Sequence, residues 1–287
     1  MPKTCILTDT TAQFPAPAFA GRELVHVIPL HIAIDGEIHP KGEDLRATDL
    51  PANLRNGKVP NALPPSVEDF SAMLAYLDQH YEEIAVILHS SKLTKTVQHA
   101  EQAVAAAQIQ AKIQVIDSET TSIGLGLLVQ AASAAAEQGA SAAQIDDLIR
   151  KLIPRVYSVF CVEGLSYLEK RGDLNAAQSL IGEHLKMLPL FILDNGALAP
   201  TLKARNLRHL VDLLQEFLME FTELEHIAIL QGAPAFEAET RALRERIAED
   251  FDGVPLSEHT ISAPLASILG PRSLGLFVMQ PETPAGL

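Results

Sequence analysis

The sequence predicts an α/β protein with two domains, and three observations lead to this class. In the first half, short apolar runs are each followed by a polar turn and a helical pattern, which is typical of a mostly parallel sheet with helices on both faces. In the second half, Asp194-Asn195-Gly196 separates two strand-like segments and predicts an antiparallel hairpin. A chain of 287 residues is also long for one hydrophobic core. We therefore expect an N-terminal domain over 1–154 and a C-terminal domain over 155–287.

The N-terminal domain is expected to alternate strands and helices. Its strongest strand signal is the nearly unbroken apolar run at 84–88, and Ser66 with Asp69 forms a capping box that opens a helix. The helix over 123–136 is apolar on almost every side and should be buried. Gly124 and Gly126 allow close approach of another backbone or a ligand, and tight packing of the helix on a sheet is the simpler reason for them. The predicted order is strand 3–9, strand 23–34, hairpin 35–39, loop 41–65, helix from 66, strand 84–88, helix 98–109, strand 112–116, helix 123–136 and helix 141–152.

The C-terminal domain has a different pattern and is expected to be α+β, with an antiparallel or mixed sheet. Its clearest feature is the hairpin around Asn195 and Gly196. The predicted order is strand 155–162, charged turn 169–173, helix 176–187, strands 188–193 and 197–204, helix 207–221, strand 226–230, helix 237–251, and strands 257–263 and 273–279.

Composition excludes several classes of function. A net charge of −14 argues against nucleic-acid binding, which needs clustered Lys and Arg. Hydrophobic residues make up 47% of the chain but aromatic residues only 5%, so the interior is aliphatic. No apolar run approaches the ~18 residues of a membrane span, and the first residues lack a signal-peptide apolar stretch, so we expect a cytoplasmic protein. Cys5 and Cys161 lie in apolar runs and are expected in the core.

Searches for catalytic and metal-binding motifs fail. The chain has no nucleotide phosphate loop, no Gly-x-Gly-x-x-Gly after the first strand and no Gly-x-Ser-x-Gly elbow. Its 10 histidines form no His-x-x-x-His pair, and the Glu-x-x-His at Glu223 and His226 falls at a helix-to-strand transition. We therefore predict no catalytic residue, no metal and no cofactor.

One turn is a candidate binding site, because it follows the buried strand at 84–88 and carries several hydroxyl groups. It contains Ser90, Ser91, Thr94 and Thr96. The carboxyl end of a parallel strand meets the next helix start here, where unpaired N–H groups favour an anion. A simpler interpretation is that these hydroxyls only cap the helix.

Seven segments in order resemble the DegV family along essentially the whole chain. They are TDTTAQFP, VIPLHIAIDGE, PPSVEDF, HSSKLTKT, VIDSETTSIGLGLLV, LKMLPLFILDNGALAPTLKAR and GPRSLG. Proteins of that family are two-domain fatty-acid binders with the DegV-like (EDD) fold, and some present the bound fatty acid to a separate kinase that makes acyl phosphate. The resemblance implies a lipid tail in a buried channel between the domains and a carboxylate near the first-domain turns.

The family's hydroxyl turn aligns with residues 90–96. Thr94 keeps the hydroxyl that contacts the carboxylate in relatives, while Lys92 and Lys95 stand where the family has glycines. Both lysines are possible replacements for lost donors, or simply a solvated loop edge. Ser90 and Ser91 complete the predicted turn.

Other aligned positions have lost their polar groups. Ala62 stands in place of a threonine, and Ile268, two residues before Gly270, in place of a histidine. Arg205 aligns with an arginine of the family, and it either binds the head group or forms a structural ion pair. Asp173 stands where the family has another arginine. A charge-assisted hydrogen bond contributes roughly 1.5–3 kcal/mol, so these losses weaken carboxylate binding unless other groups compensate.

We hypothesise a lipid-binding protein that does no chemistry alone, with a fatty acid kinase subunit as a possible partner. The first alternative is a different apolar-tailed ligand, such as an acyl ester or an isoprenoid, because of Ala62 and Ile268. The second is a hydrolase or transferase that uses Thr94 or Ser91 with Asp9. The sequence leaves open the chain length, the head group, the kinase partner and the oligomeric state.

Overall fold

The computed structural model describes residues 3–39, 45–54 and 59–282. The β-strands are β1 (Thr4–Asp9), β2 (Val25–Ile28), β3 (His31–Ile34), β4 (Glu37–His39), β5 (Pro60–Leu63), β6 (Glu83–Leu88), β7 (Lys112–Asp117), β8 (Val156–Val162), β9 (Leu188–Asp194), β10 (Ala197–Ala204), β11 (His226–Gln231), β12 (Leu256–Thr260) and β13 (Ser273–Met279). The α-helices are α1 (Val67–Asp78), α2 (Thr96–Ala106), α3 (Ser122–Glu137), α4 (Ala142–Leu152), α5 (Ser166–Arg171), α6 (Ala176–His184), α7 (Leu207–Met219), α8 (Glu237–Asp250) and α9 (Ala263–Leu269).

The first sheet is parallel and has the strand order β2-β1-β6-β7. Every residue of β1 and β6 is buried, as expected for strands covered on both faces. One face packs against α1 and α2, through residues such as Leu7, Val86 and Phe70. The other face packs against α3 and α4, through residues such as Ile6 and Leu128.

The second sheet is mixed and has the strand order β10-β9-β8-β13-β11-β12. Its pairs are antiparallel except for β11 and β12, which are parallel. The hairpin of β9 and β10 pairs Asp194 with Ala197, as the Asp-Asn-Gly turn predicts. One face packs against α7 and α8, with Leu214 and Leu243 in that core. These two sheets confirm the predicted α/β class. The first sheet is formed entirely by strands before residue 154, and the second entirely by strands after it.

A third, small sheet was predicted only in part: the hairpin of β3 and β4 confirms the turn expected at Asp35 and Gly36, whereas β5 was not predicted. This sheet is antiparallel, has the order β4-β3-β5, and receives β5 from the segment expected to be a loop over 41–65. Residues 41–44 and 55–58 of that segment lie outside the described residues. The predicted strand over 23–34 was wrong as one element, because Pro29 and Leu30 separate β2, which pairs with β1, from β3, which joins the small sheet. Proline has no N–H to donate to a strand ladder, which explains the break.

Two helices were also missed. The strand expected over 257–263 ends at Thr260, and α9 follows it, with every side chain from Ala263 to Leu269 buried. A helix that is apolar all round shows no helical periodicity, so its pattern resembles a strand or coil. The charged segment 169–173 overlaps the end of α5 rather than forming only a turn.

A hydrophobic core joins the two halves of the chain. It contains Leu93 and Ile123 from the first half and Phe160, Leu265 and Phe277 from the second. Helix α9 packs against β3, β5 and α5 within this region. The second sheet therefore buries its other face against elements of the N-terminal half, and α9 lies between them.

The two glycines of α3 allow close approach of protein groups, one of the two possibilities expected from the sequence. A Cβ at Gly126 would stand 2.0 Å from the carbonyl oxygen of Gln13, and one at Gly124 would stand 2.3 Å from Thr120 Oγ1. The Gln13 backbone N–H also donates to the carbonyl of Ser122 at 3.1 Å. The segment that follows β1 is therefore fixed directly on α3.

We predict that Gly126→Ala destabilises the protein by about 1–3 kcal/mol, although alanine is normally better in a helix by about 1 kcal/mol. The reason is that the new methyl group collides with backbone rather than with a flexible side chain. Urea unfolding followed by circular dichroism measures the change. Ala134→Gly, at a half-buried position of the same helix, should cost only the propensity term. A Gly126→Ala protein as stable as the wild type would contradict this packing.

Candidate functional site

The site is built at the carboxyl edge of the parallel sheet, where β1 ends at Asp9 and β6 is followed by His89. The Asp9 carboxylate accepts four hydrogen bonds. Oδ1 accepts from the backbone N–H and hydroxyl of Thr11, at 2.9 and 2.6 Å. Oδ2 lies 2.8 Å from the backbone N of His89 and 2.9 Å from His89 Nδ1. Asp9 and His89 are both 0% exposed, so this contact links two neighbouring strands entirely inside the protein.

The electrostatics of Asp9 favour its ionised form. Burial raises the pKa of this carboxyl, but the charge of His89 and the hydrogen bonds from His89 and Thr11 outweigh burial and hold the pKa below its ordinary value of 3.8. A buried charge is tolerated only when it is paired and hydrogen-bonded, and Asp9 meets both conditions.

The hydrogen bonds continue from His89 to the hydroxyl turn. His89 Nε2 lies 2.6 Å from Thr94 Oγ1, which in turn lies 2.6 Å from Thr96 Oγ1. The Thr96 backbone N–H, at the first residue of α2, also donates to Thr94 Oγ1 at 3.2 Å. We refer to Asp9, Thr11, His89, Thr94 and Thr96 as the buried network. Thr94 is its half-buried end.

Thr94 opens onto a cavity of about 200 Å³. We call it the Thr94 cavity, and its lining comes from β5 and the residue after it, the hydroxyl turn, α5 and α9. The lining residues are Asn61, Ala62, Pro64, Leu93, Thr94, Lys95, Arg171, Ser267 and Ile268. It combines an aliphatic wall with one hydroxyl of the buried network and two cationic side chains.

Arg171 brings one of these charges from α5. Its Nη1 donates to the carbonyl of Leu93 at 3.0 Å, which attaches α5 to the hydroxyl turn. Its Nε donates to Asp173 Oδ2 at 2.7 Å, so part of the charge is neutralised. Lys95 brings the other charge and is exposed.

Comparison with known proteins establishes the family. The model described as "Uncharacterised protein, DegV family" matches residues 3–280. The chain belongs to the DegV family. A DegV domain-containing protein of Caldanaerobacter subterraneus is 30% identical over 230 residues, which cover 78% of this chain and 81% of that protein.

Solved structures agree with this membership. A DegV family protein from Thermus thermophilus, described by its fatty acid binding, is 25% identical and has a TM-score of 0.81 over 97% of this chain and 100% of that one. The fatty acid kinase (Fak) B3 protein of Streptococcus pneumoniae, loaded with linoleic acid, is 17% identical with a TM-score of 0.80, over 97% and 100% of the chains. The second likeness shows the fold alone.

Within this DegV fold, four of the site residues predicted from the resemblance line one cavity. They are Ala62, Thr94, Lys95 and Ile268, which are distant in sequence. Ala62 lies on β5 and Ile268 on α9, neither of which was predicted as an element. The aligned positions thus converge on one place, although neither Ala62 nor Ile268 offers a polar side-chain atom there.

The other residues of the turn lie elsewhere. Ser90 is buried, and its hydroxyl donates to the carbonyl of Gly196 at 2.7 Å, which attaches the turn to the hairpin of β9 and β10. Ser91 is exposed, and its backbone N–H donates to the Asp117 carboxylate at 3.2 Å. Lys92 is exposed and does not line the Thr94 cavity.

Gly270 and Arg205 are also outside that cavity. Gly270 ends α9 with φ 89° and ψ 149°, a conformation that suits glycine, and a Cβ there would meet the Tyr167 ring at 3.2 Å. Arg205 lines a separate cavity of about 980 Å³ together with Lys186 and Arg208. Its role in the head group stays a prediction, and the structure places it apart from Thr94.

Two site residues, His89 and Arg171, were not predicted from the sequence. His89 comes directly after the buried strand and directly before the hydroxyl turn. This position could have indicated a site residue, but His89 was counted only as one of ten scattered histidines. Arg171 lies in a segment read as a charged turn, and only the packing of α5 on the turn at Leu93 brings it to the cavity.

A third cavity, of about 520 Å³, lies at the other end of α9. Its lining includes Leu45, Ala47, Ile261 and Pro264. Within the described residues, no three His, Cys, Asp or Glu side chains are grouped so as to hold a metal ion. Among the helices of the same part of the chain, none is long and apolar enough to cross a bilayer.

We predict that Asp9→Asn lowers the free energy of unfolding by roughly 3–5 kcal/mol at pH 7, because it removes the buried charge that pairs with His89. The folded-state pKa of Asp9 lies below its ordinary value of 3.8, so the stabilisation is complete above that pH and is lost as the pH falls through the folded-state value. The gap between the two proteins should therefore narrow only as the pH falls below 3.8, in urea titrations that extend into this acid range.

The matched control is Asp252→Asn, at an exposed position, which should change stability by less than about 0.5 kcal/mol. An Asp9→Asn protein with the stability of this control would show that the buried network contributes nothing to folding.

Proposed function

We propose that this DegV protein binds a long-chain fatty acid, with the carboxylate in the Thr94 cavity. The observation that carries the proposal is the convergence of Thr94, Lys95 and Arg171 on one cavity that has an aliphatic wall. A carboxylate needs hydrogen-bond donors and positive charge, and an acyl chain needs apolar surface. The relative from Thermus thermophilus, described by its fatty acid binding, supports the proposal.

Local charge matters because the whole chain repels anions, with a net charge of −14. Arg171 is held by Leu93 and Asp173 in a fixed position, whereas Lys95 is exposed and free to reorient. Both side chains can meet a carboxylate at the cavity. They are the groups we propose in place of the donors that are missing at Ala62 and Ile268.

The acyl tail is proposed to follow the inter-domain core. Leu93 and Ile268 belong both to the wall of the Thr94 cavity and to that core. The 520 Å³ cavity at the start of α9 adjoins the same core through Ala47 and Ile261. The Thr94 cavity, at about 200 Å³, is smaller than ligand pockets of about 300–1,000 Å³. Side chains beside α9 therefore move aside when the tail is bound.

We further propose that the bound fatty acid is presented to a kinase rather than modified by this chain. The motivation is the likeness to the Streptococcus pneumoniae protein that is named as a fatty acid kinase B3 protein. In this role the chain supplies binding and orientation of the carboxylate, and the kinase supplies the phosphoryl group.

The apolar side chains of Ala62 and Ile268 leave a different, uncharged head group as the alternative that the experiment below must distinguish. Neither side chain donates a hydrogen bond, so an uncharged acyl ester or an isoprenoid loses less at these positions than a carboxylate does.

A second candidate function, acyl transfer, is favoured by the order of hydrogen bonds from Asp9 through His89 to Thr94. An acid, an imidazole and a hydroxyl in this sequence are the arrangement that activates a nucleophile. His89 would take the Thr94 proton as the oxygen attacks an acyl carbonyl, and the leaving group would then take that proton. A covalent acyl adduct on Thr94 separates this candidate from simple binding.

Native mass spectrometry of the purified protein, with extraction and identification of its lipid, tests the proposal first. We expect a noncovalent fatty acid in a ratio of one to one. Thr94→Val should raise the Kd for fatty acid roughly tenfold to a hundredfold, because it removes one hydroxyl at nearly constant size. Ser91→Ala removes an exposed hydroxyl outside the cavity and should leave Kd unchanged. Equal effects of the two substitutions, or no fatty acid bound, would refute the proposed site.

The two lysines of the turn form a second matched pair. Lys95 lines the Thr94 cavity and Lys92 does not, although both are exposed. We predict that Lys95→Ala weakens fatty acid binding roughly two- to fivefold, as expected for a solvent-screened charge, and that Lys92→Ala has no effect. The difference should shrink at high salt. A larger effect of Lys92→Ala in a titration would contradict the cavity geometry.

A further inference from the structure

We propose that His89 is the positioning residue that decides which head group Thr94 accepts, and that binding of a carboxylate at Thr94 takes up one proton on His89. This inference rests on the proposed function and deepens it. It follows from counting the hydrogen-bond donors and acceptors of the buried network, whose members are fixed by the fold.

Asp9 first fixes the proton on one ring nitrogen of His89. Both carboxylate oxygens of Asp9 are surrounded by donors, from Thr11 on one side and from the His89 backbone on the other. The charge and hydrogen bonds around it keep the pKa of Asp9 low, so Asp9 acts as the acceptor. His89 Nδ1, at 2.9 Å, is therefore the donor to Asp9 whether the ring is neutral or cationic. Only Nε2 remains variable.

Thr94 has one proton and two lone pairs, and three protein groups already contact its hydroxyl. They are His89 Nε2 at 2.6 Å, Thr96 Oγ1 at 2.6 Å and the Thr96 backbone N–H at 3.2 Å. When His89 is neutral, Nε2 accepts, so the Thr94 proton points at the ring and the two lone pairs accept from Thr96. The hydroxyl then has no donor for a ligand, and a carboxylate oxygen would meet only another oxygen.

A cationic His89 reverses this arrangement. Nε2–H then donates to Thr94 Oγ1, and the Thr94 proton is free to point away from the ring. Without a ligand it is directed at Thr96 Oγ1. With a ligand, an oxygen of the ligand replaces Thr96 as the acceptor. The charge on the ring also balances Asp9, so that the incoming carboxylate does not face an uncompensated anion. A carboxylate therefore requires the protonated ring. An alcohol carries its own donor and does not.

Among the charged groups that the structure describes around His89, Asp9 is the one that contacts its imidazole ring. Asp9 faces it from β1, and the hydroxyls of Thr94 and Thr96 face it from the turn and α2. Other charges near this edge of the sheet are Lys92 and Lys95 of the turn, Asp117 at the end of β7, Glu119 after it, Asp194 of the β9 and β10 hairpin and Arg171 of α5. Asp117 accepts from the backbone of Ser91, and Arg171 is bonded to Leu93 and Asp173. None of these contacts involves the imidazole.

The test compares tetradecanoate with 1-tetradecanol on the full chain, by isothermal titration calorimetry between pH 6 and pH 9. In this range a carboxylic acid in solution is mostly ionised, and an ordinary histidine side chain changes its charge near the lower end. We expect the Kd of tetradecanoate to rise about tenfold per pH unit once the ring of the free protein is neutral. The Kd of 1-tetradecanol should stay constant. Titrations in buffers of different ionisation enthalpy should give an uptake of about one proton for the acid only.

Two variants and a spectroscopic measurement separate this role from a merely structural one. His89→Gln keeps a polar group that cannot change its charge, so any remaining acid binding should lose its pH dependence. Thr94→Val should remove the pH-dependent part while His89 is retained. If His89→Gln fails to fold, the ¹⁵N chemical shifts of the imidazole in the wild type report directly whether Nε2 gains a proton when tetradecanoate binds.

The outcomes distinguish the two proposals. No binding of tetradecanoate or 1-tetradecanol at any pH overturns the proposed function and this inference with it. Binding of the acid with a constant Kd and no proton uptake overturns the inference alone. The same holds if Nε2 stays unprotonated in the complex, or if the alcohol shows the same pH dependence as the acid.

Discussion

The structure depends on one buried charge, the carboxylate of Asp9. Removing such a group from water costs several kcal/mol unless donors surround it, and four donors do so here. Two of them belong to Thr11 and fix the start of the loop after β1. The other two belong to His89 and fix the end of β6. The same contact that joins the two strands therefore orients the imidazole, and the imidazole orients Thr94. Stability and the proposed ligand recognition therefore share these hydrogen bonds.

The parts of the fold that sequence predicted are those with a local signal. Residues 84–88 form an unbroken apolar run, Ser66 opens α1 through its capping box, and Asn195 with Gly196 forms the turn of the β9 and β10 hairpin. The parts that were missed have no local signal. Helix α9 is buried on every side and so lacks periodicity, and β5 gains its strand conformation by pairing with β3. Tertiary contacts decide both elements.

The same distinction applies to the site. Thr94 was predicted because the hydroxyl turn that holds it is continuous in sequence, whereas Lys95 was singled out only by the resemblance. Ala62 and Ile268 came from the resemblance, since nothing in the residues themselves marks them. Arg171 reaches the cavity only because α5 packs on the turn, through its bond to Leu93. His89 could have been predicted in part, because the sequence shows its position at the end of a buried strand. Its two partners, Asp9 and Thr94, could not, because the sheet and the turn bring them to it.

The apolar side chains at positions 62 and 268 and the presence of His89 are related in our proposal. A carboxylate held in a cavity needs donors on the side where its charge is placed, and the wall formed by Ala62 and Ile268 supplies none. The donors that we propose for it are those of Thr94, Lys95 and Arg171, which line the same cavity. Of these, only Thr94 is tied to a buried group that can change its own charge. In our proposal the head group is recognised through these donors, and the strength of that recognition depends on whether His89 Nε2 carries a proton.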